Sequence, residues 1–108
     1  MTTSSYRIRV ITQFAKLATR PEGIVARNFL MERLREFQIV EIDFSGVVMT
    51  PSFADEFIGR LAPILGKEEF ERRVILSNVP NQLIPLLELV VTRQLGNGHG
   101  APAAKAAG

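Results

Sequence analysis

The chain has no cysteine and no tryptophan, and only one histidine and one tyrosine in 108 residues. Without thiols, disulfide bridges, thiolate metal sites and cysteine redox chemistry are excluded. The one histidine, His99, sits in a glycine-rich tail, so no histidine in the folded region is expected to act as a base or a metal ligand. No apolar run approaches the roughly 20 residues that span a bilayer, and the opening MTTSSYRIRV lacks the apolar core of a signal peptide. The expectation is a soluble cytoplasmic protein with no membrane partner. The net charge of +2 comes from 13 basic and 11 acidic side chains with no dense Lys/Arg patch, so nucleic acid is not an expected partner.

What is present is enough apolar sequence, 46%, to bury a single core. One domain is expected over 6–95, after a flexible N-terminus, 1–5, and before a disordered Gly/Ala-rich tail, 96–108, which lacks apolar periodicity. Tyr6 to Thr12 alternates as a half-buried edge strand, with Tyr6, Ile8 and Val10 opposite Arg7 and Arg9. Residues 13–19 fit either a short helical turn or a loop, anchored by Phe14 and Leu17. Thr19 or Arg20, followed by Pro21 and Glu22, opens a helix that buries Ala26, Phe29, Leu30, Leu34 and Phe37. Its Arg27, Glu32, Arg35 and Glu36 are expected to face away, as a solvated charged face.

Gln38 to Phe44 reads as a strand, broken by Ser45-Gly46. Ser52, three residues before Asp55, approximates a capping box, so a helix is expected to start there and bury Phe53, Phe57, Ile58, Leu61 and Leu65. Pro63 should kink or stop it near Ala62, with Gly66 closing the segment. KEEFERR follows as a charged surface connection pinned by Phe70, and Arg73 to Ser77 is a further strand. The turn Asn78-Val79-Pro80-Asn81 leads into a last helix, with Pro85 in its first turn and Leu83, Leu86, Leu87, Val90 and Val91 forming a broad apolar surface. Alternating strands and helices predict an α/β domain with a small, mostly parallel sheet packed by about three helices. The first strand suits an edge, where it could also run antiparallel, and the helices could cover one face only.

The stretches LATR (17–20), VEIDFSGV (40–47), TPSFADEF (50–57) and VILSN (74–78) occur in this order. The pattern resembles the STAS-like domain family of unknown function, and through it the STAS domain of bacterial anti-sigma-factor antagonists, over roughly residues 8 to 95. In those antagonists the equivalent helix is headed by Asp-Ser-Ser-Gly, and its second serine accepts phosphate from an ATPase-type kinase that doubles as the anti-sigma factor. Laid without a gap from Asp43, Ser52 falls on the first serine and Phe53 on the acceptor; with one loop residue deleted, Ser52 becomes the acceptor. Either way Pro51 or Thr50 replaces the aspartate.

The resemblance implies a non-enzymatic regulatory interaction module needing no cofactor or metal. Ser52 is the expected phosphoacceptor, with Thr50 as runner-up. Ser45, Gly46, Thr50, Ser52, Asp55 and Glu56 form the expected docking surface for an ATPase-type kinase or anti-sigma factor. Asp55 and Glu56 would repel a phosphate on Ser52. A competing reading makes Ser52 a plain helix cap. The alternatives are a nucleotide- or anion-binding sensor using backbone N–H groups of the Ser45-Gly46 turn and the Ser52 helix end together, and a homodimeric subunit associating through the last helix.

Overall fold

The computed structural model describes residues 3–98. Three parallel strands, β1 (Ser5–Arg9), β2 (Ile39–Asp43) and β3 (Val74–Ser77), form an open sheet in chain order. The first crossover contains α1 (Val10–Gln13) and α2 (Arg20–Glu36). The second contains α3 (Pro51–Ala54), a π turn (Asp55–Gly59), α4 (Leu61–Leu65) and α5 (Lys67–Arg73). After β3 a 3₁₀ turn (Asn81–Leu83) leads into α6 (Ile84–Gly98).

Chain order and strand direction determine where the helices lie. Both crossovers step one strand in the same direction, and right-handed crossovers of that kind place their helices on the same face. The register shows the result. Tyr6, Val40 and Val74 lie across from one another, as do Ile8, Ile42 and Leu76, and these rows face the core. The intervening row, Arg7, Glu41 and Ile75, faces outward. One-sided cover accounts for the alternation of β1, which a parallel strand buried on both faces would lack.

The antiparallel option for β1 is therefore closed: β1 pairs parallel to β2, because α2 carries the chain back to the starting end of the sheet. The strand also ends earlier than expected. Its last partner is Asp43, where β2 itself stops, and with no strand beyond to bond, Val10 begins a helical turn. The N-terminus is tied in from Ser4, whose carbonyl accepts from Ile39 N–H (3.1 Å) and whose hydroxyl accepts from Gln38 N–H (3.1 Å). The segment after α1 lies over the core, where Phe14 packs edge-on to Phe29 (5.7 Å) and Phe57 (5.5 Å).

Thr19 caps α2 in a full capping box: its hydroxyl accepts from Glu22 N–H (3.3 Å), and Glu22 accepts from Thr19 N–H (2.9 Å). KEEFERR is a helix rather than a plain connection. Acids in its first turn and arginines in its last suit the helix dipole, and Lys67–Glu71 (3.4 Å) and Arg73–Glu69 (3.6 Å) bridge successive turns. Phe70 is its buried pin. Of the broad apolar surface on α6, Leu87 and Val90 are buried, Leu86 and Val91 half-buried, and Leu89 exposed. Gly96 to Gly98 continue α6; the rest of the tail expected to be disordered lies outside the described residues.

The break before Pro63 falls at Arg60, closer to the N-terminus than Ala62. Pro63 can neither donate to the Gly59 carbonyl nor sit against it, so the helix ends in the π turn and restarts at Leu61. Pro63 then occupies the first turn of α4, and Gly66, at φ 89°, closes it.

Gly23 lets α2 approach this second helical run closely: a Cβ there would lie 2.8 Å from Glu56 Cβ and 2.9 Å from the Phe53 carbonyl oxygen. Gly23→Ala should destabilise the fold by about 1–3 kcal/mol despite the better helix propensity of alanine, read as a lower urea midpoint.

Candidate functional site

All three strands point their C-terminal ends to one edge, where open α/β sheets usually place their working groups. Asp43 organises that edge. Its Oδ1 accepts from Ser45 N–H (2.9 Å), the Ser45 hydroxyl (2.7 Å) and Asn78 Nδ2 (3.2 Å), while Arg7 donates to Oδ2 (2.8 Å). The Ser45 hydroxyl and backbone N–H, helped by Asn78 and Arg7 against the opposing effect of desolvation, pull its pKa down to about 2. The surrounding backbone is shaped to allow this. Val47 N–H closes a turn onto the Phe44 carbonyl (3.1 Å) with Gly46 at φ 70°, and Asn78 takes φ 52°, which asparagine tolerates better than most residues.

This geometry weighs against anion binding at the Ser45-Gly46 turn. The Ser45 N–H that would greet a phosphate is already held by the Asp43 carboxylate, whose negative charge would repel one. Among the described residues no group of three or more His, Cys, Asp or Glu side chains is placed to hold a metal ion. No described helix is long and apolar enough to cross a membrane.

From Gly46 the chain runs along the edge into α3. Val47 and Met49 are buried, whereas Val48 between them is 79% exposed and Ile11, whose Cδ1 would lie 3.3 Å from a Cβ placed on Gly46, is 48% exposed. Sequence reasoning did not single out either residue. The alternation rule applied to Val47-Val48-Met49 would have pointed to Val48.

Thr50, not Ser52, caps the following helix. The Thr50 hydroxyl accepts from Phe53 N–H (3.2 Å) and donates to the Ala18 carbonyl, and Thr50 N–H bonds the Leu17 carbonyl (3.2 Å). The reason is Pro51: proline is favoured at the first helical position, so the cap is the residue before it. Ser52 sits one residue inside the helix, half-buried, and among the described residues no hydrogen bond to its hydroxyl is found.

Asp55 and Glu56 also depart from expectation. Both are buried in the π turn, where Arg60 N–H reaches back to the Asp55 carbonyl (2.8 Å), and neither belongs to an open docking surface. Arg20 donates to Asp55 (2.8 Å) and Glu56 (3.1 Å), Arg27 to Glu56 (2.9 Å), and Gln94 of α6 to Asp55 (2.9 Å); Arg60 lies 3.3 Å from Glu56. Burial opposes their ionisation, but hydrogen bonds from Arg20 and Gln94 to Asp55, and from Arg27 and Arg20 to Glu56, outweigh it and hold both carboxyls below their usual range. Arg27 is correspondingly not a solvated side chain: only 14% of it is exposed. Of the residues expected to form a docking surface, Ser45, Gly46, Thr50 and Ser52 remain at least partly exposed, as do Val48 and Ile11.

Glu56→Gln should destabilise the protein by about 2–3 kcal/mol, short of the roughly 3–5 for a fully enclosed pair because Arg20 and Arg60 are half exposed; a urea titration measures it. Asp43 gives a pH signature. Its folded pKa is depressed, so its contribution is full above the unfolded value of 3.8 and is lost as pH falls from there to about 2. Asp43→Asn should flatten the fall of the unfolding midpoint across that window, and an acid limb identical to that of the parent protein would contradict the role assigned to Asp43.

Comparison with curated proteins and with solved structures gives no match. A family model described as a STAS-like domain of unknown function matches residues 25–82, from the second turn of α2 through β2, the Val48 loop and β3. The match takes in VEIDFSGV, TPSFADEF and VILSN but not LATR, which precedes it, and the chain belongs to the STAS-like domain family of unknown function.

Proposed function

We propose that this protein is a non-enzymatic regulatory module that docks a partner protein, in the cytoplasm, through the 45–50 loop and the start of α3. The observation that carries this reading is Val48. Its neighbours Val47 and Met49 are anchored in the core and Thr50 is bonded on both sides, so the loop holds an apolar side chain out in water two residues from Gly46, near which the exposed Ile11 lies. Ordered, exposed apolar side chains at the edge formed by the strands' C-terminal ends are suited to recognition. The absence of catalysis is supported by the state of the carboxylates. Asp43, Asp55 and Glu56 are held ionised by hydrogen bonds and arginines, which makes them poor bases near neutral pH.

Ser52 is the proposed switch. Thr50 carries the capping role, so modification of Ser52 leaves the cap in place. The repulsion expected from Asp55 and Glu56 is offset by the arginines already paired to them. Arg20, half exposed and bonded to the residues three and four positions beyond Ser52, is available to a phosphate. A phosphoryl group there would add nearly two negative charges close to the docking loop and alter affinity for the partner without unfolding the domain. By family resemblance the partner is an ATPase-type kinase acting as an anti-sigma factor.

Fragment mapping by mass spectrometry of protein taken from its own cells should find phosphate on Ser52, and Val48→Asp should abolish co-purification of the partner while leaving the circular dichroism unchanged. Unmodified Ser52 and Thr50, together with an identical set of co-purifying proteins for parent and Val48→Asp, would sink the proposal.

A further inference from the structure

Three segments leave the C-terminal ends of the strands: 9–20 from β1 into α2, 43–54 from β2 through α3, and 77–84 from β3 into α6. Together they carry four charged residues, Arg9, Lys16, Arg20 and Asp43. The single acid is buried and held by Arg7, Ser45 and Asn78, whereas the three cations face water. Arg9 is 58% exposed and reaches Asp43 only at 3.8 Å, behind the closer Arg7 at 2.8 Å. Lys16 is exposed and Arg20 half exposed. The neighbouring acids are turned inward. Asp55 and Glu56 are buried, and Glu22, which shares a groove with Lys16, is half-buried and directs Oε1 to the N–H groups of Ala18 (3.1 Å) and Thr19 (2.9 Å). By contrast α5, which leads into the other end of β3, carries acids and bases together.

These cations bracket the docking loop. Arg9 stands beside Asp43, from which the loop departs, and Lys16 precedes Leu17, whose carbonyl takes the Thr50 N–H at the loop's far end (3.2 Å). Between them the loop and α1 are uncharged and expose Val48 and Ile11.

We propose that the partner presents an acidic segment to this edge, with carboxylates flanking an aliphatic or aromatic side chain that packs on Val48. The inference rests on the docking role proposed above and adds the chemistry of the partner. An apolar centre with charged groups at its rim is the usual anatomy of a protein interface, in which the centre supplies affinity. Complementary charge at the rim speeds encounter, sets orientation and rejects basic competitors. A nucleic acid fits less well: it calls for a denser run of cations along its phosphates, and it gives Val48 and Ile11 no apolar counterpart.

Selection of a random peptide library displayed on phage against the full chain tests this without the natural partner. Enriched peptides should carry an excess of Asp and Glu around a large apolar residue, and a synthetic copy of one should bind more weakly as salt is raised. Val48→Asp should abolish that binding. Arg9→Gln combined with Lys16→Gln should weaken it roughly tenfold and flatten its salt dependence. Circular dichroism should not change, because both side chains are exposed and Arg7 still holds Asp43. Arg35→Gln, an exposed cation at the end of α2 where the chain enters β2, should leave binding as it is. Peptides that are neutral or basic yet lost on Val48→Asp overturn the acidic partner while the docking loop stands. Peptides indifferent to Val48→Asp, or no enrichment at all, overturn both. A fluorescent DNA or RNA oligonucleotide that binds the parent protein and Val48→Asp alike but not the Arg9→Gln, Lys16→Gln variant also overturns the proposal, and assigns the charge to nucleic acid.

Discussion

The carboxylate of Glu56 is the joint on which the helical layer depends. It binds Arg27 and Arg20 of α2 and stands beside Arg60 at the end of its own π turn, while the adjacent Asp55 reaches Gln94 of α6. A buried charge without partners would be strongly destabilising, so the three elements are fixed relative to one another by the need to keep these groups paired. Two glycines permit the approach. Gly23 brings α2 against Phe53 and Glu56, and Gly59 brings the π turn against Val90. The π geometry and the ion pairs are therefore one arrangement, since the same segment, Asp55–Gly59, is wholly buried between α2 and α6.

Asp43 does for the sheet what Glu56 does for the helices. It gathers Arg7 from β1, the Ser45 turn and Asn78 after β3 onto a single side chain, which sets the loop that follows. The acids most visible in the sequence are thus consumed in holding the protein together. What that edge leaves uncommitted is the exposed apolar side chain of Val48 on a fixed loop and the Ser52 hydroxyl, to which no hydrogen bond is found among the described residues.

The sequence was most legible where the signal is local. Thr19, Pro21 and Glu22 announced α2, and the alternation of Tyr6 and Ile8 with Arg7 and Arg9 announced a strand with one open face, although Val10, which continues the pattern, begins a helical turn; a cap and a pleat are read within a few residues. The same proximity misassigned Ser52. Two capping rules competed within three residues, and proline at the first helical position prevailed over the Ser-x-x-Asp pattern. Arg27 and Glu56 illustrate a different difficulty. They are 29 residues apart, and nothing in the spacing of either could indicate that they meet. A charged residue on an amphipathic helix is usually solvated, and only the tertiary fold shows which one is not.

The order of the strands also bears on how the chain reaches this state. Since β1, β2 and β3 neighbour one another in the sequence in which a ribosome would release them, no strand must wait for a later one to slip between it and its partner. Each strand with its crossover is added to the edge left by the one before. Sheet growth can therefore keep pace with synthesis, and the edges exposed at any moment are β1 on one side and the most recently added short strand on the other.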